Sequence, residues 1–450
     1  MAMLPLTLPD RFSNSACNKG IPLLLIPVIT SDRECFANIV ALLQQNGENC
    51  ETLQLAETGE AEEFLRIEMP ELAVIDFADP GIDSARLLAT VRGDSWLLST
   101  GLIGLCDSPV KLRESGIVKG VNSVALLDKG RISRQFPQVI NIICNNRHML
   151  FHRVIGNDFG AEISSSFELR NDPLEAGVFT NLICNYLFNM NCIDAGLREQ
   201  LNFVLVELLI NAIEHGNCGI SYAEKSAWLE KNNDICELID RKCDDPAIAA
   251  RKVFLQYAIE PAVSRFTITD EGAGFDWRAL KTPSIEEQLL SLHGRGVALS
   301  REMTTNLKYN DRGNQVSFEF NHKIGVSNVS PALFQDLETV EFKPGETVFN
   351  EGEPSNYLYY IAAGSFEVLV HGERVSTLRP EDIFLGEMSF LLSNRRSATV
   401  RAVTAAKLIR VSKKEFVEGI KEKPHYALFL SRLLARRIER LNQRIGAHKT

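Results

Sequence analysis

The pattern of apolar residues changes character twice along the 450-residue chain, and this change constrains the fold more than any other feature. From residue 21 to 150, short apolar runs alternate with amphipathic stretches, which is typical of an α/β doubly wound parallel sheet. From 163 to 325, strands mix with long apolar helices in an α+β pattern. From 329 to 450, short strands with glycine turns lead to a closing helix, which predicts a small antiparallel β-barrel with a helical tail. We therefore expect a multidomain chain with these three parts.

Composition and charge narrow the functional classes. The net charge of -10 argues against general nucleic-acid binding, because phosphate backbones are held mainly by lysine and arginine. The longest apolar run near the start, residues 21–29, is far shorter than the roughly 20 residues that a membrane helix needs. The ten cysteines lack the spacing of a zinc site and favour free thiols in a reducing compartment. We expect a cytoplasmic protein without a membrane segment.

A helix predicted around "ELLINAIEHGN", residues 207–217, carries three polar side chains one turn apart. Glu207, Asn211 and His215 share one face of this otherwise apolar helix. The glutamate can polarise an attacking group, and the asparagine can bind a magnesium ion through its amide oxygen. His215 precedes Gly216, where we expect the helix to end, so capping or packing is favoured over catalysis for the imidazole.

Three further pieces of the middle part have the composition of a nucleotide site. Asp270 ends a predicted strand before a turn with two glycines, a second glycine pair stands just ahead of a helix, and residues 307–320 predict a hairpin. A glycine turn before a helix gathers backbone N–H groups that suit a phosphate, and the carboxylate can accept from the amine of a base. The glycines are Gly272 and Gly274 in the first turn, and Gly294 and Gly296, which flank Arg295, in the second.

In their order and spacing, these pieces resemble the GHKL ATP-binding fold, in its anti-sigma-factor serine kinase branch. The resemblance covers about residues 163–322. It implies that Glu207 acts as base or polariser, that Asn211 binds magnesium and that Asp270 recognises adenine. It also implies that the glycine-rich loop covers the phosphates of ATP. Arg295 either reaches a phosphate or is an exposed loop residue.

The match departs from the family pattern between the helix and the strand. A highly charged helical insert, residues 221–252, lengthens this stretch, and it either covers the site or binds a partner. A histidine kinase would need a dimerising helix pair with a phosphoacceptor histidine before the ATP domain. Residues 145–154 are a poor match to that requirement, so we set the histidine kinase aside.

The first part of the chain has one acidic residue in a suggestive place. Asp76 stands at a strand end and resembles the phosphoacceptor of two-component receiver domains. Those domains also need a carboxylate pair at the end of the first strand, where this chain has Thr30 and Ser31 and leaves Asp32 alone. Lys129 matches the lysine of the family only with poor local spacing. We expect a pseudo-receiver for docking or dimerisation, in which Asp76 is either a phosphoacceptor or a loop-capping acid.

The most specific short stretch of the chain is "FLGEMSFLLSNRRSATVRA" in the third part. Gly386 and Glu387 open a short helical turn, and Arg396 follows nine residues after Glu387 in a predicted return strand. A guanidinium can bind a phosphate through two hydrogen bonds while a carboxylate accepts from a ribose hydroxyl. The stretch resembles the phosphate-binding cassette of cyclic-nucleotide-binding domains. The resemblance implies that Glu387 holds the ribose and that Arg396 holds the cyclic phosphate, supported by Gly386 and Ser397.

Three functions are compatible with these parts. The favoured one is an ATP-dependent serine/threonine protein kinase of the anti-sigma type that acts on a small partner of the anti-sigma-antagonist class and is regulated by a cyclic nucleotide, cAMP or cGMP. The second is a non-catalytic switch in which ATP shapes a surface that captures a sigma factor. The third is a scaffold whose ligand sites no longer bind. We expect no direct DNA binding, and the apolar stripe of the tail, residues 428–445, allows a homodimer.

Overall fold

The fold consists of three domains in chain order, seen in a computed structural model of the chain. The structure describes residues 24–45, 50–94, 97–146, 149, 163–231, 234–260, 262–279, 295–323, 337–379, 382–392, 395–422, 424, 426–428, 430–431 and 434–435. No disulfide joins the cysteines of these ranges. None of the described helices is by itself long and apolar enough to cross a membrane, although the bent pair Ala195–Asn217 and Tyr222–Leu229 passes the same test of length and composition.

Five parallel strands form the sheet of the N-terminal domain, in the order β2-β1-β3-β4-β5. Every residue of the central strands β3 and β4 is buried, because helices cover both faces of the sheet. The predicted doubly wound sheet is confirmed, with the strand order of flavodoxin-like folds. Its strands are β1 (Leu24–Ile29), β2 (Cys50–Leu55), β3 (Leu72–Asp76), β4 (Gly101–Cys106) and β5 (Ser123–Asp128). Its helices are α1 (Arg33–Gln45), α2 (Thr58–Glu68), α3 (Ser84–Gly93), α4 (Pro109–Glu114) and α5 (Ile132–Asn145).

An antiparallel sheet in the order β6-β7-β8-β10-β9 forms the middle domain, with helices packed on one face. Alternate residues of β7 and β8 are buried against those helices, as expected of a sheet with one covered face. The hairpin predicted from the sequence is the β9–β10 pair. The strands are β6 (Ile163–Leu169), β7 (Val253–Ile259), β8 (Val263–Asp270), β9 (Thr305–Tyr309) and β10 (Gln315–Asn321). The helices are α6 (Pro173–Asn189), α7 (Ala195–Asn211), α8 (Tyr222–Leu229), α9 (Ile235–Lys242), α10 (Pro246–Ala249) and α11 (Arg295–Met303).

The N-terminal and middle domains share one hydrophobic core. Helix α6 is buried on nearly every side, because it lies between its own sheet and the β5–α5 face of the N-terminal domain. Asn181 on α6 donates from Nδ2 to the carbonyl oxygen of Val124 at 2.9 Å, and Gln138 on α5 donates to Asp172 Oδ2 at 2.8 Å. These contacts fix the position of one domain against the other.

Two four-stranded antiparallel sheets form the β-roll of the third domain, in the orders β11-β18-β13-β16 and β12-β17-β14-β15. The glycine turns used for the prediction have positive φ at Gly345, Gly352 and Gly364. Leu430 of the tail packs into the core of this domain, whereas most of the predicted stripe of residues 428–445 lies outside the described residues. The strands are β11 (Thr339–Phe342), β12 (Thr347–Phe349), β13 (Tyr357–Ala363), β14 (Phe366–Val370), β15 (Glu373–Leu378), β16 (Phe384–Leu385), β17 (Thr399–Ala402) and β18 (Ala406–Ser412), and the helices are α12 (Glu387–Leu391) and α13 (Lys413–Glu422).

Candidate functional site

Glu207 and Asn211 occupy the last turns of α7 and touch each other. Asn211 donates from Nδ2 to Glu207 Oε1 at 3.1 Å, so the amide oxygen of Asn211, the atom that binds hard cations, stays available for a ligand. Both side chains are only partly buried and can be reached from outside. The described residues contain no cluster of three His, Cys, Asp or Glu that would cage a metal. One amide oxygen beside a carboxylate fits a magnesium ion that takes its remaining ligands from phosphates and water.

The start of helix α11 lies directly over this pair. A Cβ atom added to Gly296 would lie 1.8 Å from Glu207 Oε1, so glycine is required where the helix crosses the carboxylate. The prediction that both glycines precede the helix was wrong for Gly296, which lies in the first turn of α11. Gly294 and the side chain of Arg295 lie outside the described residues. The start of α11, the end of a helix that suits an anion, thus lies next to Glu207.

Asp270 forms the other side of the site, at the end of β8. The residue is 8% exposed, and burial raises the pKa of its carboxyl to about 6. Gly272 donates its N–H to Asp270 Oδ1 at 2.9 Å. A Cβ atom added to Gly216 would lie 2.5 Å from the carboxyl carbon of Asp270. A Cβ atom added to Gly272 would lie 2.1 Å from the carbonyl oxygen of Gly216. The close approach of these backbones leaves a carboxylate at the base of a narrow glycine-lined cleft.

The second glycine of this turn is required for a different reason. Gly274 has a φ of +80°, and a Cβ there would lie 2.0 Å from the carbonyl oxygen of Arg312 in the β9–β10 loop. Arg312 in turn donates to the carbonyl oxygen of Gly272 at 2.9 Å. The hairpin predicted from the sequence therefore closes one wall of the cleft by packing on the turn that carries Asp270.

Asn217 joins the two halves of the site and was missed by the sequence analysis. It is fully buried, donates to Asn171 Oδ1 at 2.8 Å and accepts from the N–H of Glu271 at 2.8 Å. The expected helix end at Gly216 was wrong, because α7 continues as a π-helical turn from Ala212 to Asn217. Such turns insert a residue into a helix and are frequent at functional sites. The only signal in the sequence was one more asparagine after a predicted end.

His215 has the structural role that the sequence favoured. Its Nδ1 lies 2.5 Å from the carbonyl oxygen of Ile220, beyond the helix, and its ring lies 4.3 Å from that of Tyr222. The imidazole therefore packs beneath the turn and holds the chain that leaves it.

In the N-terminal domain, Asp76 is completely buried beside a lysine. Lys129 donates from Nζ to Asp76 Oδ2 at 2.8 Å, and Thr30 donates to the same oxygen at 3.2 Å. Burial lowers the pKa of Lys129, but the hydrogen bond and charge of Asp76 more than offset this and leave the pKa raised. The poor spacing noted for Lys129 in the sequence does not keep the two side chains apart, because strands β3 and β5 end at the same edge of the sheet.

A second carboxylate, Asp79, lies beside Asp76 and was not predicted. It accepts from Ser31 Oγ at 2.8 Å, from Thr30 Oγ1 at 3.0 Å and from the N–H of Gly81 at 2.8 Å. Burial raises its pKa, but these hydrogen bonds outweigh burial and hold the pKa below its usual value. Asp32 is used differently, since it caps α1 by accepting from the N–H of Glu34 at 2.8 Å. The side chains that follow β1, those of Thr30, Ser31 and Asp32, thus make hydrogen bonds within the N-terminal domain.

In the third domain, Arg396 is the centre of a buried cluster. The residue is 4% exposed. Its guanidinium donates to the carbonyl oxygen of Gly386 at 3.0 Å and to Ser389 Oγ at 3.1 Å, and stacks on Phe349 at 4.1 Å. It also donates to the carbonyl oxygen of Tyr357 at 2.5 Å. Among the described residues, the buried Nε of Arg396 has no acceptor. An orphaned buried N–H on a cation is suited to an anion.

The remaining cassette residues surround this cluster. Glu387 is 6% exposed and is the first residue of α12. Gly386 has a φ of +73°, and a Cβ atom added to it would lie 2.0 Å from Nη1 of Arg396. Ser397 is exposed. The prediction of Arg396 in a return strand was wrong, because β17 begins only at Thr399 and Arg396 lies in the segment before it.

Comparison with known families identifies two of the three domains. Residues 183–320 match the model of the histidine kinase-like ATPase domain, and residues 339–423 match the model of the cyclic nucleotide-binding domain. The chain therefore contains a GHKL-type ATPase domain followed by a cyclic-nucleotide-binding β-roll. These assignments support ATP as a ligand of the middle domain and a cyclic nucleotide as a ligand of the third domain.

Curated relatives resemble a limited part of this chain. The CRP-like cAMP-activated global transcriptional regulator of Mycobacterium tuberculosis is 30% identical over 123 residues, which are 26% of this chain and 53% of the relative. The cAMP-activated global transcriptional regulator CRP of Salmonella typhimurium is 36% identical over 106 residues, 22% of this chain and 50% of the relative. A cGMP-dependent protein kinase of Toxoplasma gondii is 36% identical over 92 residues, 20% of this chain and 9% of the relative. The chain spans about half the length of the two bacterial regulators.

Proposed function

We propose that this chain is an ATP-dependent serine/threonine protein kinase of the anti-sigma type, acting on a small protein partner of the anti-sigma-antagonist class and regulated by a cyclic nucleotide. The observation that carries the proposal is the hydrogen-bonded Glu207–Asn211 pair under the start of α11. Nucleotide binding alone does not need a carboxylate at this place. A carboxylate beside a magnesium ligand is the arrangement that phosphoryl transfer uses.

Each group has a separate task in this proposal. Asp270 accepts from the amine of adenine, and the N–H groups at the start of α11 face the phosphates. Asn211 would bind magnesium through its amide oxygen, and the ion supplies charge neutralisation on the phosphates. Glu207 accepts a hydrogen bond from the hydroxyl of the substrate serine or threonine and orients it for in-line attack. It takes the hydroxyl proton as the γ-phosphoryl group passes to this oxygen and ADP leaves. Positioning of this kind accounts for most of the catalysis of phosphoryl transfer.

Phosphoryl transfer can be tested directly with γ-labelled ATP and magnesium. The full chain is incubated with single-domain proteins of the anti-sigma-antagonist class from the same genome, and label on a serine or threonine of one of them supports the kinase. If ATP binds and alters capture of a sigma factor while no candidate is labelled, the non-catalytic switch is supported instead. Titrations of cAMP and cGMP in the same assay identify the effector.

We expect the affinity for ATP to rise as the pH increases from 5 to 7. Burial raises the pKa of the Asp270 carboxyl to about 6, and only the ionised form is a pure acceptor for the adenine amine. Below the raised pKa, binding must release this proton, so the affinity falls by up to about tenfold per pH unit. Calorimetry with magnesium in excess, which keeps the phosphates ionised, measures the effect. A constant affinity across this range would contradict the assigned role of Asp270.

The second expectation concerns the affinity of the third domain for a cyclic nucleotide. We propose that Glu387 binds the ribose and that Arg396 binds the cyclic phosphate, with Gly386 and Ser397 beside it. Arg396→Lys keeps the charge but loses the planar fork, and we expect cyclic-nucleotide affinity to fall by about 10- to 100-fold. Arg395→Lys is the matched control, because Arg395 is exposed and donates to the carbonyl oxygen of Gly352 at 2.8 Å. Equal losses in the two variants in a fluorescent-cAMP titration would contradict the assignment.

For the N-terminal domain we propose a pseudo-receiver that docks on the ATPase domain. Asp76 is completely buried and paired with Lys129, and Thr30 and Ser31 are engaged by Asp79. A phosphoryl donor would have to displace these contacts before reaching Asp76. This supports a role in docking over a role as phosphoacceptor.

A further inference from the structure

The charged insert of the middle domain contacts the N-terminal domain through α9, in the middle of the insert. Arg134 on α5 donates to Asp240 on α9 at 3.1 Å, and Arg131 lies 3.4 Å from Asp234, the residue that caps α9. Arg131 closes the short turn that begins at Lys129, the partner of Asp76. The middle of the insert is therefore anchored beside the edge of the N-terminal sheet where Lys129 contacts Asp76.

The first helix of the insert, α8, contacts the turn that follows Asn211. Lys225 on α8 forms an ion pair of 2.5 Å with Glu214, which is 2% exposed and belongs to the π-helical turn that follows Asn211. Tyr222 packs on His215 of the same turn. Burial, with the negative charges of Glu207 and Glu214, raises the pKa of the Tyr222 hydroxyl, so this end lies within electrostatic reach of the proposed catalytic carboxylate.

Internal contacts make the insert one continuous element. Lys242 on α9 and Glu224 on α8 form an ion pair of 2.8 Å, and Arg241 stacks on the ring of Trp228 at 4.6 Å. Beyond α9, the carbonyl oxygen of Ile248 accepts from Asn171, the partner of Asn217. Contacts therefore run from α9 through α8 to the turn that follows Asn211, and from the segment after α9 to the Asn171–Asn217 pair.

We propose that the insert is an intramolecular strut through which the N-terminal domain sets the ATP affinity of the middle domain. The proposal rests on the proposed function, because it requires an ATP site between Glu207 and Asp270. It assigns the charges of the insert to contacts within this chain and not to the capture of a separate protein. The coupling can only be as large as the difference in ATP affinity between the docked and released positions of α9.

A charge swap across one pair tests the strut in the full chain. Arg134 is largely exposed, so Arg134→Asp leaves the core intact and replaces an attraction to Asp240 with a repulsion. We expect this variant to bind ATP about three- to tenfold more weakly. Adding Asp240→Arg restores the pair with reversed charges and should return the affinity to within about twofold of the wild type.

The matched control uses a pair that joins the same two domains without the insert. Lys119 lies 3.7 Å from Glu199 on α7, and Lys119→Asp should leave the ATP affinity unchanged. An unchanged affinity in Arg134→Asp, or an equal loss in Lys119→Asp, would overturn the proposal. Hydrogen exchange of residues 212–217, measured without nucleotide, distinguishes a failure of the strut from a failure of the proposed function. Faster exchange in Arg134→Asp that the swap reverses shows that the insert is coupled to this turn, so a failure to bind ATP would then contradict the proposed function and not the coupling. Unaltered exchange overturns the strut.

Discussion

The Glu207→Gln variant should bind ATP with nearly the affinity of the wild type but transfer its γ-phosphoryl group about 100- to 10,000-fold more slowly, the range expected for loss of a general base. Glutamine has the shape of glutamate, and its side-chain oxygen can still accept from Asn211 at the present 3.1 Å. It cannot take a proton from the substrate hydroxyl or hold it by charge. Loss of transfer with retained binding is therefore expected, and ATP calorimetry with a labelled-phosphate assay measures both quantities.

A matched control lies on the same helix. Glu199 is exposed, and Glu199→Gln removes the same charge two turns before the site, so transfer should stay within about twofold of the wild type. A Glu207→Gln variant that transfers phosphate at the wild-type rate would remove Glu207 from catalysis. If both binding and transfer were lost, Glu207 would have a binding role instead.

The Asp270→Asn variant should bind ATP about 100-fold more weakly, which corresponds to about 2.7 kcal/mol. The asparagine oxygen can keep the hydrogen bond from Gly272, which turns the amide NH2 group toward the amine of adenine. Two donors then face each other at a residue that is 8% exposed in the wild type, so water cannot repair the mismatch. The change is isosteric, and the fold should be preserved.

Base preference separates this role from a general loss of structure. An asparagine NH2 group can donate to the carbonyl oxygen of guanine, so the preference for ATP over GTP should fall in Asp270→Asn. Glu271→Gln is the control, because Glu271 is the adjacent exposed carboxylate and accepts from the N–H of Lys252 at 2.8 Å. An ATP-to-GTP ratio that stays the same in Asp270→Asn would show that Asp270 does not contact the base.

The domain order was predictable from the sequence because buried strands and amphipathic helices leave different periodicities. Strands β2 and β6 escaped this reasoning. Both lie at the edge of a sheet, and their sequences "CETLQL" and "ISSSFEL" carry polar residues at positions that are at least partly exposed. An edge strand that is covered on one face only does not need an apolar run. The central strands β3 and β4 do, and the sequence analysis found them.

The candidate site was predictable only where its chemistry is local. Asp270 and the glycines stand in short motifs, and Glu207 and Asn211 repeat along one helix. The hydrogen-bond partners of Asn217 lie 46 and 54 positions away in the chain. Those of Asp79 on Thr30 and Ser31 lie 49 and 48 positions away. The roles of the two residues therefore cannot be inferred from one sequence without its fold. The insert appeared as a charged surface for the same reason, since its partners Arg131 and Arg134 belong to another domain.

The central claim is that Glu207, Asn211 and Asp270 form one nucleotide site. A calorimetric titration of the full chain with ATP, in magnesium and again in its absence, tests this claim most directly. The account predicts one saturable site per chain that binds ATP more tightly than GTP and weakens when magnesium is withheld. A folded chain that shows no saturable binding at millimolar ATP, or the same affinity for ATP and GTP, would contradict it.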